Sequence, residues 1–234
     1  MNDGTYGYLI TIATNTVSQI TDTDFPNGVK QAGYTDGYFM VTGNGSQQFY
    51  ISSLLDGATW DGLDFASAEG SPDNTVGLVI NHREVWLFGS NSAEIWVDTG
   101  SASFPFERTG NAFIEYGCSS ALTIAKLADT VFWLGGGDIA SGIVYMANGY
   151  TPNRVSTNAV EFAILSYGDL STAFATTYQQ EGHTFYCLTF PSAGKTWCYD
   201  VSSTLWHERD YTSPTTGIST QWRPVVLSRL TASI

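Results

Sequence analysis

The chain has 234 residues, of which 13% are charged and 14% are aromatic, and it contains 24 glycines. Its formal net charge at pH 7 is −13, from 22 acidic and 9 basic residues, which leaves few cations for a phosphate-binding surface. The sequence contains no run of about 18 apolar residues, so no membrane span is expected.

The amino-terminal segment, MNDGTYGYLITIATNT, lacks a basic region and a long apolar run, so no signal peptide is expected. The three cysteines are too few for a disulfide framework, which predicts a protein folded in a reducing cytoplasm. Residues 7–25 read as two strands, the last two of an incomplete sheet. Few charges and many aromatic and glycine residues favour strands joined by tight turns, so the composition predicts an all-β protein.

A pair of short aromatic or apolar strands around a small polar loop recurs roughly every 45 to 50 residues. These hairpins span residues 37–52, 84–98, 130–147 and 183–200. Apolar runs precede three of them, at 76–81, 121–127 and 173–178. Shorter runs follow all of them, at 63–69, 104–110, 151–157 and 204–210. Repeats of four antiparallel strands predict a β-propeller of about five blades, or part of a larger propeller.

One helix is predicted near residues 158–165, where the alternating pattern of the strands stops. Asn158 is the expected N-cap, because Glu161 follows it at the spacing of a capping box. Val160, Ile164 and Leu165 are expected to form the buried side of this helix, which fills a gap between two blades.

Residues 222–230 read as the opening strand of a further blade. Residues 1–234 are therefore predicted to form a single β-propeller, closed by strands from both termini, or a portion of one. The incomplete sheets at both ends favour a fragment of a longer protein.

Residues 178–209 contain two of the three cysteines and two of the three histidines, which raises the question of a reactive site. If residues 191–194 form the hairpin loop, Cys187 lies opposite Cys198 and their thiols are neighbours. A disulfide is then geometrically conceivable, but we expect both cysteines to be reduced and buried. His183 and His207 are expected at a rim or edge of the sheet, without the oriented base that a nucleophile requires.

No catalytic, cofactor-binding or metal-binding residue is predicted. Cys-x2-4-Cys and His-x3-5-His pairs, which are typical of zinc sites, do not occur. Neither of the glycine-rich loops at 43–48 and 135–142 leads from a strand into a helix with a following Lys-Ser/Thr, as a phosphate-binding loop does. Residues 52–62 match the Asp-box turn of sialidases poorly, and the six arginines are scattered over different repeats. The chain is therefore predicted not to be an enzyme, and no cofactor is expected.

Four segments, at 60–73, 85–118, 148–164 and 178–209, resemble the tail-hub, or nozzle, proteins of short-tailed phages, known as packaged-DNA stabilisation proteins. The resemblance implies a virion structural protein that extends the DNA channel below the portal and helps to retain packaged DNA. It implies a homo-oligomer, a hexameric ring that contacts the portal, adaptor, tail needle and tailspike proteins, with DNA passing through without specific binding. The expected location is the virion tail, after assembly in the host bacterial cytoplasm. Members of the family are longer, so this chain is expected to be a fragment of a tail-hub protein.

A different class of function remains as the alternative: a carbohydrate-binding or glycan-cleaving propeller. Its support would come from aromatic side chains exposed at blade tips, for which Trp60, Trp206 and Trp222 are the candidates. A generic protein-interaction propeller is a third reading.

Overall fold

Antiparallel hairpins recur along the whole of the computed structural model, which describes residues 1–222. The first sheet has two strands, β1 (Tyr8–Thr11) and β2 (Thr16–Gln19). The second sheet contains β3 (Ala32–Thr35), β4 (Tyr38–Thr42), β5 (Gln48–Ser53) and β6 (Asp56–Ser67). The third sheet contains β7 (Thr75–Asn81), β8 (Glu84–Gly89), β9 (Ala93–Asp98) and β10 (Phe106–Ile114).

The fourth and fifth sheets follow the same order and each gains one short strand. The fourth sheet contains β11 (Gly117–Cys118), β12 (Ala125–Leu127), β13 (Thr130–Gly136), β14 (Val144–Asn148) and β15 (Thr151–Arg154). The fifth contains β16 (Phe174–Gln180), β17 (His183–Phe190), β18 (Lys195–Asp200), β19 (Leu205–Thr212) and β20 (Ser219–Gln221). The helices are α1 (Gly137–Ala140), α2 (Asn158–Leu165) and a 3-10 turn at Ala121–Thr123. The prediction of an all-β propeller is confirmed.

The 3-10 turn occupies part of the apolar run at 121–127, from which the first strand of a four-stranded repeat was expected. Only Ala125–Leu127 is a strand, because the chain before it is turned by local hydrogen bonds. Thr123 donates to the carbonyl oxygen of Ser120 from both its hydroxyl, at 2.7 Å, and its backbone N–H, at 2.9 Å. The strand predicted at 222–230 lies, apart from Trp222, outside the described residues.

Apolar clusters between consecutive sheets form the core. Strand β13 shows the cause, because neighbouring residues of a strand point to opposite faces. Trp133 packs in the cluster between the third and fourth sheets, whereas Phe132 packs in the cluster between the fourth and fifth. Both side chains are fully buried, and burying a side chain of this size contributes roughly 1.5–3 kcal/mol.

Polar side chains also connect one sheet to the next. Gln31, before β3, donates from Nε2 to the carbonyl oxygen of Ala121 at 3.1 Å and accepts from the backbone N–H of Leu78 at 2.6 Å. The hydroxyl of Tyr186 in the fifth sheet donates to the carbonyl oxygen of Thr123 at 2.6 Å. These bonds join the second, third, fourth and fifth sheets.

Helix α2 lies where it was predicted, but its cap differs. Thr157 is the N-cap, since its side chain accepts from the N–H of Val160, and Asn158 is the first helical residue. Glu161 turns instead toward the fourth sheet, where it accepts from the Ser156 hydroxyl at 2.6 Å and pairs with Arg154. Val160 and Ile164 are buried between the fourth and fifth sheets as expected, whereas Leu165 is exposed.

Candidate functional site

The hairpin of β17 and β18 brings the two predicted neighbours, Cys187 and Cys198, directly opposite each other. Both are fully buried, as expected. They are joined by a disulfide, with their Cα atoms 4.0 Å apart, so the expectation of reduced thiols is wrong for this structure. The physical reason is the register: directly opposed positions on one face of an antiparallel pair place two Cβ atoms within reach of one S–S bond.

The histidines of the same sheet form polar contacts of their own. His183 Nδ1 lies 2.7 Å from Asp200 Oδ2, and its side chain is about half exposed. The Ser203 hydroxyl, followed by His183 and the backbone N–H of Ser202, lowers the pKa of Asp200 to about 2. His207 Nε2 accepts from Arg209 Nε at 2.8 Å. Because both neighbouring cysteine sulfurs are in the disulfide, neither histidine can activate them as a thiolate nucleophile.

Arg209 of β19 is stacked among three aromatic rings. Its guanidinium carbon lies 5.3 Å from the ring centroid of Tyr178, 4.7 Å from Phe185 and 5.3 Å from Trp222. Burial lowers the pKa of Arg209, and its Nη1 donates to the Tyr178 hydroxyl. These contacts hold the fifth sheet together and leave this cation little access to an outside anion.

Most other basic side chains of the described chain are in ion pairs. The pairs are Arg83–Asp36, Arg108–Glu94, Arg154–Glu161 and Lys195–Glu208. Among residues 1–222, this leaves Lys30 and Lys126 as the exposed cations outside ion pairs and aromatic stacking. The arginines at 223 and 229 lie beyond the described part of the chain.

Two buried carboxylates act as structural acceptors. Glu94, which is 2% exposed, accepts from the backbone N–H of Gly70 at 2.5 Å and from Trp96 Nε1 at 3.1 Å. Asp73 accepts from the backbone N–H of Ser92 at 3.1 Å and from its hydroxyl at 2.9 Å. These hydrogen bonds satisfy the acceptor oxygens that burial removes from water.

An axial cavity of about 860 Å³ opens where the first strands of successive sheets begin, the position of the central axis in a propeller. Lys30, Thr75, Ala121 and Ser171, from the second to the fifth sheet, contribute to its wall. The lining consists mainly of small or uncharged residues, and Lys30 and Asp73 are its charged members. Such a wall can form hydrogen bonds with water, but it has few charged side chains that could bind a charged polymer.

The tryptophans proposed as glycan platforms do not form open surfaces. Trp60 is 5% exposed, and its indole Nε1 donates to the carbonyl oxygen of Gly57 at 3.0 Å. Trp206 is half-buried and donates to the carbonyl oxygen of Val155 at 2.8 Å. Trp222 packs against Tyr178, with ring centroids 5.7 Å apart.

Sequence reasoning did not single out a second opening, an inter-sheet cleft lined by Asn81, Glu84 and Tyr150 among others. Asn81 and Glu84 flank the turn after β7, and Tyr150 lies in the turn after β14; the repeat spacing would have placed both turns at the same end of the molecule. Within residues 1–222 there is no group of three or more His, Cys, Asp or Glu side chains that could hold a metal ion. No helix of this part of the chain is long and apolar enough to cross a membrane.

A family model described as "Bacteriophage P22 Gp10, beta-propeller" matches residues 1–228. The chain belongs to this family. It is a family of phage DNA-stabilisation proteins, and the resemblance inferred from four sequence segments is thereby confirmed. A phage structural family also indicates a component of the virion.

Solved structures of other proteins are similar to the chain at low sequence identity. The chain is similar to dihydro-heme d1 dehydrogenase NirN in complex with DHE, with a TM-score of 0.53 at 10% identity over 85% of this chain and 41% of that one. It is also similar to Hsv2 of Kluyveromyces lactis, with a TM-score of 0.44 at 5% identity over 88% of this chain and 57% of that one. The chain thus spans less than half of NirN, and at 10% identity the likeness to NirN shows the fold alone. No curated protein matches the chain.

Proposed function

We propose that the chain is a structural component of a phage tail hub, or nozzle, which extends the DNA channel below the portal and helps to retain packaged DNA. Membership of the family over residues 1–228 supports this role. The proposed assembly is a homo-oligomeric, hexameric ring in contact with the portal and adaptor, the tail needle and the tailspikes. Its place is the virion tail, reached after assembly in the host bacterial cytoplasm.

The observation that carries the proposal is the scarcity of available cations on an acidic surface. Duplex DNA binds proteins mainly through Lys and Arg side chains that replace condensed counterions. In residues 1–222, only Lys30 and Lys126 are outside ion pairs and aromatic stacks. Exposed carboxylates are numerous: Asp3, Asp24, Asp56, Asp61, Glu69, Glu107, Glu115, Asp129, Asp138, Asp169, Glu181, Glu208 and Asp210. A channel component of this kind guides DNA by repulsion and does not stall its passage.

DNA binding tests the electrostatic part of the proposal. We expect no binding of a fluorescently labelled duplex at low salt, measured by fluorescence anisotropy. The double variant Asp36→Asn/Glu208→Gln is the matched control, because it releases Arg83 and Lys195 from their carboxylate partners. It should bind the duplex weakly and lose that binding as salt rises. Tight, salt-sensitive binding by the unaltered chain would contradict the proposal.

Assembly tests the structural part. Mass photometry of the chain mixed with the portal–adaptor complex of the same phage should show the complex gaining six copies of the 25.4 kDa chain. A glycan array serves as the second readout. Specific glycan binding without any association with the portal–adaptor complex would instead favour the carbohydrate-binding alternative.

A further inference from the structure

An open cleft of about 520 Å³ lies between the third and fourth sheets, at the opposite strand ends from the axial cavity. The β7–β8 turn contributes His82 to its lining together with the flanking strand residues Asn81 and Glu84, and the turn between β12 and β13 contributes Asp129. Tyr150, in the turn between β14 and β15, lines the other side. Three turns from two sheets therefore surround one opening.

Glu84 is the central polar group of the cleft. Its Oε2 accepts from the indole Nε1 of Trp86 at 3.2 Å, and its Oε1 accepts from the hydroxyl of Tyr150. Both donors are neutral, so neither compensates the charge of the carboxylate. Arg83, the adjacent residue of the turn, pairs with Asp36 of the second sheet instead. Asp129 adds a second, exposed carboxylate to the lining.

Asn81 is an independent sign that the cleft accommodates a polar ligand. Its residue is 5% exposed, and its Oδ1 has no hydrogen-bond partner in the described chain. An unpaired buried polar group is unfavourable, and a ligand N–H that bonds to it removes this cost. The Oδ1 atom of this lining residue is therefore an unused hydrogen-bond acceptor.

Tyr150 supplies an aromatic wall. Its side chain is partly exposed, and its ring centroid lies 6.1 Å from that of Trp86. A cation placed against such a ring is attracted by its negative face, and nearby carboxylates strengthen that attraction. Among the lining residues His82 is the only one able to carry a positive charge.

We propose that this inter-sheet cleft binds a small organic cation that carries N–H donors, namely a primary alkylammonium or guanidinium group. Glu84 and Asp129 provide the charge, Tyr150 the aromatic face and Asn81 an acceptor. The group can come from a free diamine or from a basic side chain of another protein, and the recognising chemistry is the same for both. A sugar is less suited, because its hydroxyls can donate hydrogen bonds to the two carboxylates but carry no charge that compensates them.

Isothermal titration calorimetry of the full chain at low salt tests the proposal. We expect 1,4-diaminobutane to bind at one site and the neutral 1,4-butanediol to give no heat of binding. NMR locates the site: the diamine should shift the indole N–H of Trp86 and the side-chain amide of Asn81. Diffuse condensation of cations on an acidic surface would not select these two groups.

Variants separate the site from the general surface charge. Asp129→Asn and Tyr150→Leu are each expected to weaken diamine binding by about tenfold. Asp138→Asn is the matched control, because Asp138 is an exposed carboxylate on α1 outside the cleft. It should leave the affinity unchanged. Circular dichroism of each variant confirms that the fold is retained, and equal losses in Asp129→Asn and Asp138→Asn would overturn the proposal.

A blocked peptide with one lysine, and its Nε-acetylated counterpart, distinguish the source of the cation. Binding of the lysine peptide with no binding of the diamine supports a side chain of a partner protein. Binding of the diamine alone supports a free ligand. Binding of butanediol or glucose as tight as that of the diamine, or no binding of either cation, would refute the cation site.

Discussion

Gly77 in β7 shows how a single residue position is determined by the neighbouring sheets. A Cβ atom at this position would lie 2.5 Å from Oε1 of Gln31, 3.0 Å from Cβ of Ala121 and 3.0 Å from Cδ1 of Ile124. We expect Gly77→Ala to lower the free energy of unfolding by about 1–3 kcal/mol, since the added methyl displaces groups from two other sheets. Urea unfolding followed by tryptophan fluorescence measures the change.

Gly110→Ala is the control for this substitution. Gly110 also lies in a strand, but a Cβ there meets no atom within 4 Å. Its effect should stay within about 0.5 kcal/mol. Equal losses of stability at both positions would show that the loss comes from replacing a glycine within a strand and not from crowding between sheets.

The buried thiol of Cys118 makes the free energy of unfolding depend on pH in the alkaline range. It is 2% exposed, and burial raises the pKa of its thiol from 9.0 to about 11. The unfolded chain therefore loses this proton first, and ionisation favours unfolding. The stabilisation is fully present below pH 9 and is lost as the pH rises toward 11, by about 1.4 kcal/mol per pH unit. Urea unfolding of the unaltered chain and of Cys118→Ala should therefore diverge in pH dependence only above pH 9.

At the scale of the element, the β17–β18 hairpin is closed by the Cys187–Cys198 disulfide. The two residues are separated by 11 positions, and a loop of this size predicts about 3 kcal/mol of stabilisation relative to the reduced chain. A reductant should therefore lower the midpoint of urea unfolding. The double variant Cys187→Ala/Cys198→Ala should not respond to the reductant.

The number of reactive thiols shows whether the Cys187–Cys198 disulfide is formed. Protein unfolded without reductant should show one reactive thiol, that of Cys118, and three after reduction. Three thiols without reductant would mean that the hairpin is reduced, as the sequence alone suggested.

At the scale of the whole molecule, side-chain bonds between sheets should make the described sheets unfold together. Gln31→Leu removes both bonds from Gln31 and leaves the Leu78 N–H and the Ala121 carbonyl oxygen without this partner. Each orphaned group costs about 1–3 kcal/mol, so we expect a clear fall in the urea midpoint with one transition retained. Gln179→Leu, at an exposed position of β16, is the control and should change little. A variant that unfolds in two separate steps would instead show that the sheets are independent.

The sequence predicted the repeated hairpins because period-2 alternation and turn residues are local signals. Helix α2 was placed correctly for the same reason, but its cap was assigned to Asn158 because Glu161 has the spacing of a capping box. The structure assigns the cap to Thr157, since Glu161 is drawn to Arg154 and Ser156, contacts that no local pattern reveals.

The sequence by itself determined the all-β class, the repeat, the family resemblance and the position of Cys187 opposite Cys198, because these depend on neighbours along the chain or across one hairpin. Only the tertiary structure decided which cations are engaged, that Trp60 is buried, and that Asn81, Glu84 and Tyr150 meet in one cleft. The physical reason is distance along the chain. Glu84 and Tyr150 are 66 residues apart, and their contact exists only because the third and fourth sheets pack side by side.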